Sequence, residues 1–414
     1  MIRTIIQDLL DTPAFMRLSS SKRAALEDIA ACGTEACGLH REQCDHCGDK
    51  RLVPNTCGNR ACPYCQGAER EAWVREREKE LLPSSYFHVV ATTPEELRGL
   101  SQAFPAVVND VLLRSIADAV HYLAADPKHL GGEVGSLSML HTWGSDLRLH
   151  PHAHVLVTAG AWNAEEGRWI HARCCGAQKR PFLVSVDVLR LAFQRRFMRL
   201  LLQAYEQGRF DDGPHEAFPF LAQLSTLRAF MGELIRKPWV VYIEPPFGSP
   251  QILLRYLGRY VNRVAISPSR VTAYDAEKDQ VTFHWKDYAH KGRQESLTLS
   301  SAEFLQRFAQ HIPPPGFVRI RFRGLWSTAH RKTKLAVVQA YFRARGGSGL
   351  TAAPPTPNPD PTATDHRRCP ACGIGCYQRI PGDYRLPRKD RRKRIRELIA
   401  GRRTATPGGV ATPA

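Results

Sequence analysis

Hydrophobic and polar positions along the chain change period several times. The start, MIRTIIQDLLDTPAFMRLSSSK, alternates apolar with charged residues as an amphipathic helix does, and GAEREAWVREREKELL (67–82) reads as an exposed helix. From SSYFHVVATTPEELRGL the texture shifts: residues 87–91 form a short apolar run with strand character, after which Pro94 opens a helix with Glu95 and Glu96 in its first turn. Helical periodicity covers roughly 107–125 and 187–206. GSLSMLHTWG and HAHVLVTAG read as adjacent antiparallel strands joined by SDLRLHP. Further on, VTAYDAEKDQVTFHWKDY has the alternation and polar turn of a hairpin, SSAEFLQRFAQHI that of a helix with Ser301 as N-cap, and FVRIRFRGL that of a strand with an arginine-rich face. After about Arg345 the chain becomes GGSGLTAAPPTPNPDPTATD, too rich in Pro, Gly and Thr to pack, and then carries the basic run PRKDRRKRIRELIAGRR.

Length and charge narrow the picture. The 414 residues are enough for two or three domains. A formal net charge of +18, from 58 Lys and Arg against 40 Asp and Glu, favours a polyanionic partner, of which nucleic acid is the first choice. No apolar run reaches the ~18 residues of a membrane span, and the amphipathic start is unlike a secretory signal. The expected setting is therefore the cytoplasm, in association with the nucleoid and with no membrane partner.

Cysteine usage agrees with that setting. Of 12 cysteines, seven lie between Cys32 and Cys65, two are adjacent at Cys174 and Cys175, and three fall at Cys369, Cys372 and Cys376. CxxC pairs clustered in this way indicate metal rather than disulfides. Cys44 and Cys47, then Cys62 and Cys65, form two CxxC knuckles separated by 14 residues, which predicts four thiolates converging on structural zinc. Cys57 lies between them, and Cys32, Cys37 and His40 bring the candidates to eight, enough for two sites. Their division is left open. Beside Arg41, Lys50, Arg51 and Arg60, such a zinc module has DNA binding as its natural role. For the later CPACGIGC, which lacks an evident fourth ligand, His366 is a candidate.

Two further constellations carry chemistry. In LHPHAHVLVTAG (149–160), His152 and His154 stand at i and i+2 and so share one face of an extended strand, an arrangement suited to a divalent metal. A hydrogen-bonded pair of core histidines is the competing reading. In LLRYLGRYVNRVAIS (253–267), Tyr256 and Tyr260 stack on one face of a helix, and Arg255, Arg259 and Arg263 share the same spacing on the adjoining face. Two phenols beside three guanidiniums make a phosphate-binding surface with two nucleophiles; the competing reading is an amphipathic core helix with a solvated arginine stripe.

A His-hydrophobic-His strand followed by a helix with a tyrosine pair resembles the HUH endonuclease superfamily. Over residues 30–330 the chain is similar to the two-tyrosine rolling-circle transposases of the insertion-sequence ninety-one type, which carry an N-terminal zinc-binding domain. The resemblance rests on CDHCG, CGNRACPYCQ, FHVVATTPEEL, HTWGSDLRLHPHAHVLVTAG, YLGRYVNRVAIS and GFVRIRFRGL, in that order. It implies an α+β fold: a central antiparallel sheet with flanking helices over 84–330, preceded by a zinc- and DNA-binding domain at 1–82 and followed by a disordered basic tail at 346–414 with its short CxxC segment. The implied activity is that of a metal-dependent DNA strand transferase: nicking and rejoining of single-stranded DNA at element ends, and joining to target DNA, through a covalent 5′-phosphotyrosine. The implied cofactors are Zn²⁺ in the N-terminal domain and Mg²⁺ or Mn²⁺ on His152 and His154, with no nucleotide cofactor. Tyr256 and Tyr260 are the implied nucleophiles, and His150 a DNA contact. Where such proteins often carry histidine, this chain has Ala61 and Asn262, so the third nuclease ligand lies between Asn262 and His141.

Overall fold

A computed structural model describes residues 1–65, 73–175, 180–244, 264–287, 290, 292–346, 368–380, 390, 393–397 and 400. The chain divides into two units, Met1–Ala68 with Ile266–Ile312 and Ala352–Ala414, and Glu69–Ala265 with Pro313–Thr351. The span 84–330, expected as one domain, is thus interrupted by residues 266–312, which pack with the N-terminal segment.

In the first unit the helices Ile2–Leu9 and Ser20–Ala31 bury Ile2, Ile5, Leu26 and Ile29 completely. Strands β1 (Leu39–Cys44) and β2 (Lys50–Pro54) follow as an antiparallel hairpin. In the second unit β3 (Tyr86–Thr92), β4 (Gly135–Trp143) and β5 (Leu149–Thr158) are followed by two small hairpins, β6 (Gly160–Asn163) with β7 (Arg168–His171) and β8 (Arg173–Cys175) with β9 (Arg180–Phe182), and then by β10 (Val240–Glu244). The first unit resumes with β11 (Val271–Asp275), β12 (Gln280–Asp287) and β13 (Arg293–Ser300) as a three-stranded antiparallel sheet. Helix Ser301–Gln310 closes over that sheet, with the Phe304 ring 6.0 Å from that of Phe283 and both side chains fully buried. Its N-cap is Ser300 and not Ser301, because the Ser300 hydroxyl accepts from the Glu303 amide. β13 extends the expected hairpin by one strand. The Tyr274 hydroxyl donates to the Asp8 carboxylate at 2.9 Å, within the same unit.

β14 (Ile320–Gly324) completes the second unit's central sheet, whose order is β10-β3-β5-β4-β14 with every pairing antiparallel. Because side chains alternate along each strand, one face is built from Phe87, Val89, Ala91, Ala153, Val155 and Val157. That face forms one hydrophobic core with the helices Pro105–Ala125 and Val186–Glu206. The arginines of β14 do not form an open stripe: Arg321 pairs with Asp110 at 2.7 Å, and Arg323 pairs with Asp118, both acids lying on helix Pro105–Ala125.

The expected disordered tail is corrected in part. Residues Tyr377–Arg379 form β15, the third strand of the β1–β2 sheet, in the order β15-β1-β2. Ile395 is buried, and Arg396 reaches Glu27 at 3.7 Å. Among the described residues no helix is long and apolar enough to cross a membrane.

Candidate nuclease and zinc centres

β5 is the central strand of its sheet, and its pleat turns His152 and His154 to the face opposite the helix-covered core, while Ala153 and Val155 enter that core. Register does the rest. His141 on β4 lies directly across from His152, and Met139 across from His154. The result is three imidazoles on one sheet face: the ring centroids of His141 lie 4.6 Å from those of His154 and 5.5 Å from those of His152, and one ring nitrogen from each of the three residues falls within 4.8 Å of the others. Trp143 stacks on His141 at 4.7 Å, which limits that ring's rotation. His154 and His141 are buried, and His152 is half-exposed, so the cluster opens at His152.

Hydrogen bonds fix which nitrogen each ring presents. Glu244 on β10 lies across from His88 on β3, and its carboxylate accepts from His88 Nδ1 at 2.7 Å. A neutral His88 then has only an acceptor at Nε2, so the 2.9 Å contact to His154 Nδ1 has His154 donating. His152 Nδ1 donates to the His150 carbonyl at 2.8 Å. Both rings therefore hold their protons on Nδ1 and keep the lone pair on Nε2, the tautomer that a metal needs. His150 is exposed, its carbonyl turned to His152 and its ring centroid 5.3 Å from that of His152. Of the two candidates for a third ligand, His141 is in place; Asn262 lies outside the described residues, as do Tyr256, Tyr260, Arg255, Arg259 and Arg263. Sequence reasoning missed His88 and Glu244. The period-2 placement of His88 inside an apolar strand was the available signal for the first, and nothing local marked the second.

The cysteines sort differently from expectation. Cys44, Cys47, Cys62 and Cys65 do not share a site: Cys62 and Cys65 converge with Cys32 and Cys57, whereas Cys44 and Cys47 converge with Cys369 and Cys372. His40 belongs to neither group and sits 3.2 Å from Glu42, while the Cys37 thiol donates to the Ala31 carbonyl. His366 lies outside the described residues.

In the first cluster all four cysteines are buried, with Cys57 and Cys65 sulfurs 3.9 Å apart. Tetrahedral Zn–S bonds of ~2.3 Å place sulfurs ~3.8 Å apart, so the donor set and spacing both fit zinc. Hydrogen bonding from Cys57, Cys62 and Cys65 pushes the Cys32 thiol far below its usual range, which favours a thiolate there. Asn59 braces the loop: its side-chain amide donates to Asp28, its side-chain oxygen accepts from the Ala61 amide, and its own amide points at Cys57 sulfur. With four thiols in place the site does not call on residue 61. Cys62 is fully buried, and Cys62→Ser is expected to release the metal and unfold the first unit's N-terminal segment, because such sites supply folding free energy outright. Metal analysis of the purified variant with circular dichroism checks this; full zinc content would refute it.

Comparison with known proteins places the chain among transposases. Residues 1–93 match a family model described as "Transposase zinc-binding domain", and residues 135–334 one described as "Putative transposase". The chain is 38% identical over 371 residues to "Putative transposase y4qJ" of Sinorhizobium fredii, covering 86% of this chain and 88% of that protein. It is 29% identical over 362 residues to "Transposase for insertion sequence element IS801" of Pseudomonas savastanoi pv. phaseolicola, covering 83% and 80%. The chain belongs to the insertion-sequence ninety-one family of transposases. No solved structure matches it. The donor sets differ in what they would allow: four cysteines would hold zinc with no open position, whereas three imidazoles would leave coordination positions free.

Proposed function

We propose that this transposase nicks and rejoins single-stranded DNA at the ends of its element through a covalent 5′-phosphotyrosine and so drives rolling-circle transposition. The observation that carries the reading is the convergence of His141, His152 and His154 on one face of the five-stranded antiparallel sheet. His141, His152 and His154 would hold a divalent ion there, and such an ion would supply polarisation of the phosphoryl oxygens of the scissile phosphate. Three nitrogen donors suit Mn²⁺ better than Mg²⁺, which prefers oxygen.

The chain's own groups do the rest. A phenol of Tyr256 or Tyr260 gives up its proton, its oxygen bonds to phosphorus, and the 3′ oxygen leaves and is protonated. The phosphotyrosine conserves the phosphoester for rejoining, so no nucleotide cofactor is required. Arg255, Arg259 and Arg263 neutralise the phosphates beside the tyrosines, and the zinc-bearing unit and His150 add contacts to DNA.

The test is incubation of the full chain with Mn²⁺ and a single-stranded oligonucleotide carrying an element end, followed by denaturing electrophoresis. A protein–DNA adduct that survives denaturation and disappears on protease treatment is the expected result. Its absence with every element end would leave a zinc-dependent DNA-binding protein without nuclease chemistry.

Glu244 and His88 act in this reading as positioning residues. Glu244→Ala should weaken Mn²⁺ binding by about tenfold, the usual cost of losing an outer hydrogen-bond partner of a metal-binding histidine. Glu244→Gln retains an accepting oxygen and should stay close to the parent, and neither change should alter the melting temperature. Calorimetric titration with Mn²⁺ reads the difference, and equal affinities for the alanine variant and the parent would reject the role.

A further inference from the structure

Cys44 and Cys47 lie in CDHCG, and Cys369 and Cys372 in CPACG, 325 positions further along the chain. The two stretches are built alike. In each, the glycine amide donates back to the carbonyl of the first cysteine, Gly48 to Cys44 at 3.1 Å and Gly373 to Cys369 at 2.8 Å. Both glycines stand in the left-handed region, at φ +75° and +65°, where a side chain would be strained. Backbone amides point at sulfur in both: those of His46 and Cys47 at Cys44, and that of Gly375 at Cys372. Such amide–sulfur contacts favour thiolates over thiols.

Across the two knuckles, Cys44 and Cys372 sulfurs are 3.8 Å apart and Cys47 and Cys369 sulfurs 3.7 Å apart, again the separation that tetrahedral zinc requires. β15 runs antiparallel to β1, with Tyr377 across from Cys44 and Arg379 across from Glu42. The Tyr377 hydroxyl donates to Asp49, the Arg51 guanidinium lies 3.8 Å from the Tyr377 ring centre, and the Cys376 amide donates to Asp45. Yet among the described residues the buried cluster here consists of only Cys44, Cys369 and Tyr377. A three-residue strand and so small a core do not offset the entropy of ordering this segment, so the fold needs a further source of free energy at this point.

We infer that Cys44, Cys47, Cys369 and Cys372 bind a second structural zinc ion, closing a zinc ribbon whose two knuckles come from opposite ends of the chain. Cys44 and Cys47 lie within residues 1–93, which the zinc-binding family model matches, whereas Cys369 and Cys372 lie far outside them. It fastens the CPACG segment to the β1–β2 hairpin and thereby tethers the basic run that follows it to the zinc-bearing unit. The inference does not depend on the nuclease reading, because no residue of that site takes part.

Full-length protein purified under reducing conditions is compared with the Cys369→Ser, Cys372→Ser double variant by elemental analysis. Zinc content should fall by one equivalent per chain while the thermal transition of the nuclease unit persists; unchanged zinc content overturns the inference. Because serine substitution could unfold the segment for other reasons, a second variant keeps every cysteine and carries a specific protease site between Ala353 and Pro354. After cleavage, the C-terminal fragment should co-elute with the body of the protein and separate once a strong chelator is added. A fragment that separates without chelator, or that stays bound after its zinc is removed, overturns the inference equally.

Discussion

Replacing His152 and His154 together by alanine should reduce strand nicking by at least ~10³-fold, because an ion that polarises phosphoryl oxygens is worth several kcal/mol at the transition state. The substitution leaves His141 alone on its strand, and one imidazole does not hold a divalent ion against water. The fold should survive. Both positions lie on the face opposite the main core of Phe87, Val155 and Val157, so the lost volume opens onto the site rather than into the helix-packed layer. His154 is the more costly of the two, since it is buried and hydrogen-bonded to His88. Removing it leaves His88 Nε2 without that donor, at roughly 1–3 kcal/mol. Binding to the element-end oligonucleotide should stay within a few-fold of the parent, because phosphate contacts dominate affinity and are made elsewhere. Nicking, oligonucleotide binding and thermal denaturation are measured on the same preparation. Cleavage at the parent's rate with Mn²⁺ present would sink the assignment of the metal to these histidines.

The alternation in LHPHAHVLVT exposed the pair His152 and His154 because strand period is a local property, visible within five residues. His141 could be named only as one of two candidates, since its place beside His152 depends on which strand pairs with β5 and in what register. The pairing of Glu244 with His88 was out of reach for the same reason. The two are 156 residues apart, and their contact exists only through the neighbouring positions of β10 and β3. The zinc ligands misled for a different reason. Two CxxC knuckles 14 residues apart look like one site, but β2 lies between them, and five extended residues carry the chain ~16 Å from the first knuckle. The hairpin turn thus holds Cys44 and Cys47 at one end, and Cys57, Cys62 and Cys65 meet Cys32 at the other. Sulfur from residues 369 and 372 then fills the vacant half, a pairing that nothing local in the sequence announces. The arginines of β14 were legible as a stripe, but not as partners of Asp110 and Asp118, because those acids lie on a helix some two hundred residues earlier.

The Tyr256→Phe, Tyr260→Phe double variant should form no covalent adduct with single-stranded DNA, a complete loss rather than a reduction. Phenylalanine keeps the ring and removes only the nucleophilic oxygen, so the variant should remain folded and bind the oligonucleotide, with Arg255, Arg259 and Arg263 still present to meet phosphates. Spacing gives the reason for two phenols. Residues four apart on a helix lie one above the other, so both hydroxyls can address a single metal-bound phosphate site in turn. Rolling-circle transfer makes two strand cleavages, and one phenol can hold the first 5′ end while the second attacks the next site. Each single variant should therefore still nick once. Transfer of the held strand to a second oligonucleotide should fall steeply in both, because that step needs the partner hydroxyl. An amphipathic core helix would behave otherwise: loss of either hydroxyl would change stability slightly and adduct yield not at all. Peptide mapping of the wild-type adduct by mass spectrometry should find DNA on Tyr256 or Tyr260. DNA on a residue outside the pair, or an adduct persisting in the double variant, would remove both tyrosines from the mechanism while leaving the histidine centre to be judged by its own variants.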